Sequence, residues 1–265
     1  VEREIVTIDT VAVLGFGTMG RGIAAACAAA GLAVTVLETD QGRLEAVPDG
    51  TAGTTDIGRL AGAGLVIEAV TEDETLKASL LRAVAEVVGP DAILATNTSA
   101  LSVTRLAAGL PGPARVGGLH FFNPADRMPL VEVVRALETG DETVAALVAF
   151  AERLGKHPIV VKDRPGFLVN ALLLPYLNHA IREFDEGLAG AADLDRAVEL
   201  GLGYPHGPLR VLDLVGLDTV LAATEAVYAA TRDPRFAPPP LLAQMVAAGR
   251  LGDKSGSGFV PGGDA

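Results

Sequence analysis

The chain has 265 residues, 49% of them hydrophobic and 20% charged, enough to bury one large core or two modest ones. A formal net charge of −12 leaves no basic face for a phosphate backbone and excludes nucleic acid as the expected partner. The single cysteine, Cys27, excludes an internal disulfide framework and fits a reducing, cytoplasmic setting.

In chain order, "TVAVLG" from Thr10 is a short β-branched run that predicts a strand, and "GRGIAAACAAAG" after it predicts a helix closing at Gly31. Cys27 reads there as a small buried hydrophobe. The apolar stretch Gly22–Leu37 falls short of the roughly 18 uninterrupted residues of a membrane span, and Gly31 divides it into a helix and the strand "AVTVLE". It lies inside the chain, which does not suit a signal peptide, so no membrane partner is expected. The segment "PDGTAGTTD" predicts a loop. "AGLVIEAV", "DAILATN", "RVGGLHFFN" and "HPIVVKD" supply further strands, and "ETLKASLLRAVAEVVG" and "DETVAALVAFAERLG" the helices between them. Such alternation predicts an α/β fold with a mostly parallel, doubly wound sheet.

After "DRPG" the pattern becomes helical. Leu173, Leu177, Ile181, Phe184 and Leu188 fall at helical spacing, followed by "AADLDRAVELG", "GLDTVLAATEAVYAA" and "PPPLLAQMVAAG". The expected organisation is residues 1–164 as a Rossmann-type domain and residues 165–265 as an all-helical domain for substrate and dimerisation. "SGSGFVPGGDA" reads as a fraying tail.

Gly15, Gly17 and Gly20 in "GFGTMGRG" fit G-x-G-x-x-G between a strand and a helix, the context a dinucleotide site requires. The glycines serve a tight turn, close approach of backbone to pyrophosphate, and close helix–strand packing; Thr18 and Met19 between them join the cofactor-binding set. The helix start offers unpaired N–H groups to the phosphates. Glu38 ends the second strand about 20 residues on, where a carboxylate accepts from ribose hydroxyls and repels a 2′-phosphate, which predicts NAD over NADP.

Polar residues recur where strands end or helices begin: Ser99 in "NTSALS", His120 and Asn123 in "LHFFNP", Glu132 in "MPLVEVV" and Asn170 in "PGFLVN". Oxidising an alcohol by hydride transfer needs a base for the hydroxyl proton, and histidine titrates in the right range. A carboxylate on its other ring nitrogen would fix the tautomer. Spacing does not place Glu132 beside His120, so a histidine packed for structural reasons stays open at this point.

"GFGTMGRGIA", "LVIEAVTED", "NTSALS", "LHFFNPADRMPLVEVV", "GKHPIVVKDRPGFLVN", "GPLRVLDLVGLDT" and "LGDKSGSGF" together resemble the NAD-dependent L-3-hydroxyacyl-CoA dehydrogenase family, which includes 3-hydroxybutyryl-CoA dehydrogenases. The resemblance covers nearly the whole chain. It implies that His120 is the general base, Glu132 its orienting partner, and Ser99 and Asn170 hydrogen-bond donors to the substrate oxygen or acyl group. It further implies that Ser99, Glu72, Lys77, Asn123 and Lys254 contact the cofactor, that no metal is needed, and that the chain forms a homodimer through its second domain.

Three departures stand out. Residues 39–64 are too short for the helical hairpin with which the family helps hold coenzyme A, and carry one short helical piece at most. His206 stands where methionine is usual and Ala171 where arginine is usual, and Asp126 and Arg127 add charge to an apolar stretch. These favour a short hydroxyacyl group on an acyl carrier protein, as in family members of polyketide extender-unit pathways. A coenzyme A thioester, a free hydroxy acid or polyol, and a non-catalytic NAD-binding protein are the alternatives.

Overall fold

The computed structural model describes residues 7–260. The chain forms two compact units, one ending at Phe167 and the other beginning at Leu168. The first holds a single sheet: β1 (Thr10–Leu14), β2 (Ala33–Leu37), β3 (Thr51–Thr54), β4 (Leu65–Glu68), β5 (Ile93–Thr96), β6 (Val116–Phe121), β7 (Leu130–Arg135) and β8 (His157–Lys162). Their order is β3-β2-β1-β4-β5-β6-β7-β8, and every neighbouring pair is parallel except β6–β7. The first six strands follow the order of dinucleotide-binding sheets, whose crevice opens where the order reverses, between β1 and β4.

The central strands are apolar throughout because both faces are covered. Val11, Val13 and Ile67 bury one face, while Ala12, Leu14 and Val66 bury the other. Each large aliphatic side chain fully removed from water contributes roughly 1.5–3 kcal/mol. Helix α1 (Thr18–Ala29) follows the glycine loop and buries Gly20, Ile23, Ala24 and Cys27 on one stripe. Its small residues let it lie close to the sheet. Burial pushes the Cys27 thiol up to about 12, which suits the inert core residue expected from sequence. The remaining helices of this unit are α2 (Gln41–Leu44), α3 (Glu74–Ala85), α4 (Val103–Ala107) and α5 (Asp141–Arg153).

The second unit is helical: α6 (Val169–Asp185), α7 (Ala191–Leu202), α8 (Pro208–Val215), α9 (Leu217–Thr231) and α10 (Pro240–Ala247). Leu177, Leu209, Leu212, Leu217 and Leu242 form the centre of its core and are fully buried.

Four expectations need correction. The "PDGTAGTTD" loop contains β3, which extends the sheet edge through parallel pairing with β2. β7, α4 and α8 are elements that the sequence reading left out. Leu188 lies beyond the end of α6 and is 68% exposed. The tail is docked through Val260: Asp213 is buried and accepts from the backbone N–H groups of Phe259 (2.9 Å) and Val260 (2.8 Å). Gly258 runs so close to the Asp213 carboxylate that a Cβ would collide with it. The last five residues of the expected tail, 261–265, lie outside the described residues.

Candidate functional site

At the carboxyl end of β1 the chain turns at Gly15, whose φ of +88° favours glycine. A Cβ on Gly20 would strike the Gly15 carbonyl oxygen, whereas a Cβ on Gly17 would meet nothing within 4 Å. Gly20 therefore serves packing, and Gly17 leaves open backbone at the start of α1, followed by Thr18 and Met19. Beside it lies a cavity of about 340 Å³, lined by Gly15, Gly17 and Glu38 on one part and by Val70, Thr71 and Leu76 on another. A bare glycine loop, a helix start and an acid at one cavity fit the dinucleotide that the sequence predicts.

Glu38 is 8% exposed. Its Oε2 accepts from Phe16 N (2.9 Å), and its Oε1 accepts from Thr39 N (2.7 Å), Asp40 N (3.1 Å) and the Thr39 hydroxyl (3.2 Å). Burial raises its pKa, but the donors of Asp40, Phe16 and Thr39 more than offset that and hold the carboxyl below the ordinary glutamate value.

A second polar group joins β4, α3 and the loop after β5. Glu68, fully buried at the end of β4, accepts from Val70 N (2.7 Å), the Thr96 hydroxyl (2.7 Å) and Lys77 Nζ (2.8 Å). Lys77 also reaches the Val70 carbonyl (3.1 Å) and Glu72 Oε2 (3.2 Å). Glu72 Oε1 in turn accepts from the Thr98 hydroxyl (2.5 Å), Ser99 N (2.9 Å), Ala100 N (3.2 Å) and the Ser99 hydroxyl (3.3 Å). Three of the expected residues, Glu72, Lys77 and Ser99, thus meet in one network. Glu68 was missed. The signal was present, because an acid at the end of an otherwise apolar strand needs a buried cation.

The antiparallel pairing of β6 with β7 sets His120 opposite Glu132. His120 Nδ1 lies 2.6 Å from Glu132 Oε2, with His120 at 6% exposure and Glu132 at 0%. With Nδ1–H donating to the carboxylate, Nε2 keeps the lone pair, the state a general base needs. The His120 ring also packs against Phe122 (centroids 4.6 Å apart) and Phe167 (5.5 Å). Asn97, another residue that sequence reasoning missed, accepts from Phe121 N at 2.9 Å and ties the end of β5 to β6. Asn123 is exposed and starts the loop from β6 to β7. That loop is held from below by buried Lys156, which donates to the carbonyls of Ala125, Asp126 and Met128.

Asn170 and Lys254 belong to the second unit. Asn170 lies in the first turn of α6, and Lys254 pairs with Asp218 at the start of α9. His206, in the loop before α8, is exposed. Among the described residues there is no group of His, Cys, Asp or Glu able to hold a metal, and no helix long and apolar enough to cross a membrane.

A doubly wound sheet, a glycine-loop cavity with an acid at its rim, and a buried histidine–carboxylate pair define an NAD-dependent oxidoreductase. Comparison narrows the class. The model of the 3-hydroxyacyl-CoA dehydrogenase NAD binding domain matches residues 10–53 and 46–164, and that of the same family's C-terminal domain matches 166–261. The chain belongs to the 3-hydroxyacyl-CoA dehydrogenase family. It is 44% identical to the 3-hydroxybutyryl-CoA dehydrogenase of Mycobacterium tuberculosis over 279 residues, covering 95% of this chain and 98% of that protein. A probable 3-hydroxybutyryl-CoA dehydrogenase of Deinococcus radiodurans is 40% identical, with 93% and 98% covered. The crystal structure of (S)-3-hydroxybutyryl-CoA dehydrogenase from Ralstonia eutropha superposes with a TM-score of 0.92 at 39% identity, covering 97% of this chain and all of that one. The alignment to the mycobacterial protein is longer than this chain, and the first domain model matches in two pieces that meet at residues 46–53. The break in the domain match falls in the short segment between β2 and β4.

Proposed function

We propose that the chain oxidises the 3-hydroxy group of a short 3-hydroxyacyl-CoA, such as 3-hydroxybutyryl-CoA, reversibly to the 3-oxo thioester. The observation that carries this reading is the buried 2.6 Å contact between His120 and Glu132. Bound NAD supplies the hydride acceptor. His120 Nε2 takes the hydroxyl proton, and Glu132 stabilises the imidazolium that results. Ser99 and Asn170 hydrogen-bond the substrate oxygen or acyl group. Gly15, Gly17, Thr18, Met19 and Gly20 hold the phosphates, Glu38 the adenosine ribose, and Glu72, Asn123 and Lys254 the remainder of the cofactor. Lys77 acts through Glu72, because its ammonium is buried among Glu68, Glu72 and the Val70 carbonyl.

Coenzyme A is preferred here over the carrier protein that the short residues 39–64 suggest. The mycobacterial and Deinococcus relatives, matched over 98% of their length, are named for a coenzyme A thioester, and the loss of one surface segment leaves the hydride chemistry untouched. A homodimer and a cytoplasmic setting remain part of the reading. Leu172, Leu200 and Leu202 are 69%, 74% and 64% exposed, apolar surface of the second unit that a second copy would cover. The test is kcat/KM for one 3-hydroxybutyryl group presented on coenzyme A, on an acyl carrier protein and as the free acid. The coenzyme A ester should lead by about tenfold or more, a difference of about 1.4 kcal/mol in transition-state binding. A carrier-bound substrate that leads by that factor would reverse the assignment.

A further inference from the structure

The turn that ends the first unit carries two side chains, Asp163 and Phe167, that hydride transfer does not itself use. Asp163 follows β8, and its backbone N–H donates to the Arg135 carbonyl at the end of β7 (2.9 Å). Its carboxylate turns to α4. Oδ1 accepts from Val103 N (3.1 Å), and Oδ2 accepts from Thr104 N (2.7 Å) and the Ser102 hydroxyl (2.9 Å). These donors start a helix only five residues long, too short to hold its own place in water. The Ser102 oxygen completes the cap by accepting from Arg105 N at 3.3 Å. Phe167 is buried with a φ of +46°, a strained region that a non-glycine residue keeps only where its contacts hold it. It shares an apolar cluster with Val103, Val134 and Ala136, and its ring packs 5.5 Å from that of His120.

Ser99 lies between β5 and α4, in a loop gripped at two points. Glu72 accepts from the Thr98 hydroxyl and from the N–H groups of Ser99 and Ala100, and Asp163 accepts from the three donors of residues 102–104. We infer that Asp163 is a positioning residue for the oxidation: it anchors α4 so that the Ser99 hydroxyl keeps its place relative to His120. This rests on the reading of Ser99 as a group that hydrogen-bonds the substrate. The two carboxylates fix different things. Glu72 is held by Lys77 on the α3 side of the sheet (3.2 Å). Asp163 belongs to the β7–β8 pair, and β7 carries Glu132 opposite His120. Asp163 therefore sets the far end of the Ser99 loop against the histidine side of the sheet. Asn97, accepting from Phe121 N at 2.9 Å, does the same for the near end. Phe167 reinforces the arrangement, since it clusters with the first residue of α4 and packs on the His120 ring.

A double-mutant cycle separates positioning from plain stability. The readout is kcat/KM for 3-hydroxybutyryl-CoA well below each thermal midpoint, with calorimetric titration of AMP to report that the glycine-loop cavity is intact. Asp163→Ala should lose about tenfold or more in kcat/KM, within the range that an ångström of misplacement costs a reaction, while AMP affinity stays native. In a Ser99→Ala background the same substitution should cost about twofold or less, because the hydroxyl it positions is gone. Asp163→Asn keeps an oxygen for Thr104 N and the Ser102 hydroxyl, so it should lose less than Asp163→Ala. It also carries the same cycle should Asp163→Ala misfold, and its loss too should shrink in the Ser99→Ala background. A loss of equal size in both backgrounds overturns the inference, as does a folded Asp163→Ala with native kcat/KM and only a lowered thermal midpoint. A native kcat/KM in Ser99→Ala alone overturns the reading of Ser99 itself, an outcome distinct from those two.

Discussion

Lys77 is 1% exposed and its ammonium faces Glu68, Glu72 and the Val70 carbonyl, so its donors are taken up inside the first unit. The resemblance marks Glu72 and Lys77 through their place in "TEDETLK", and their contacts give the physical reason: Lys77 fixes Glu72, and Glu72 gathers Thr98, Ser99 and Ala100. Burial raises the Glu72 pKa, but the charge of Lys77 and the donors of Thr98 and Ser99 more than offset it and hold the carboxyl below the ordinary glutamate value. A carboxyl depressed in the folded state contributes stability that is present above the unfolded pKa and lost as pH falls through the folded one. Glu72→Gln should therefore be less stable than the native chain at neutral pH, by about 1 kcal/mol once its part exposure is allowed for. That deficit should shrink as the pH falls from the ordinary glutamate range through the folded value. Urea unfolding midpoints across an acid series check it, and a deficit that does not change with pH would count against the network.

At the scale of elements, the alternating pattern of strands and helices was legible because buried parallel strands are continuous apolar runs and their helices carry one apolar stripe. β3 escaped because "TAGT" has no apolar alternation; it forms by adding to the edge beside β2, a tertiary cause that local sequence does not carry. The docked tail escaped for a similar reason, since its partner, Asp213, lies 46 residues away. The register of β6 on β7 is what turns His120 and Glu132 from two motif residues into a pair, and a slip of one residue would send them to opposite faces. Gly118, opposite Val134 in the same ladder, protects that register: a Cβ there would stand 2.7 Å from the Val134 Cβ. Gly118→Ala should overpack the sheet, destabilise the first unit by about 1–3 kcal/mol and lower kcat as the pair shifts. Thermal midpoint and kcat measured together check this, and an unchanged midpoint would show that the sheet yields at no cost.

For the whole molecule, an acidic chain with a doubly wound first unit and a helical second unit matches both domains of one dehydrogenase family. The glycine loop, Glu38 and the histidine motif were readable from residue type and spacing. The partnership of His120 with Glu132 was readable only through resemblance, because it depends on strand pairing. The central claim is that His120 is the base that takes the hydroxyl proton. The most direct measurement pairs kcat for 3-hydroxybutyryl-CoA oxidation by the native chain and His120→Ala with a separate titration of NAD binding. A loss of about 10²–10⁴-fold in kcat, with NAD affinity nearly unchanged, is the predicted result. A His120→Ala chain that keeps near-native turnover would contradict the account and make the histidine a structural residue.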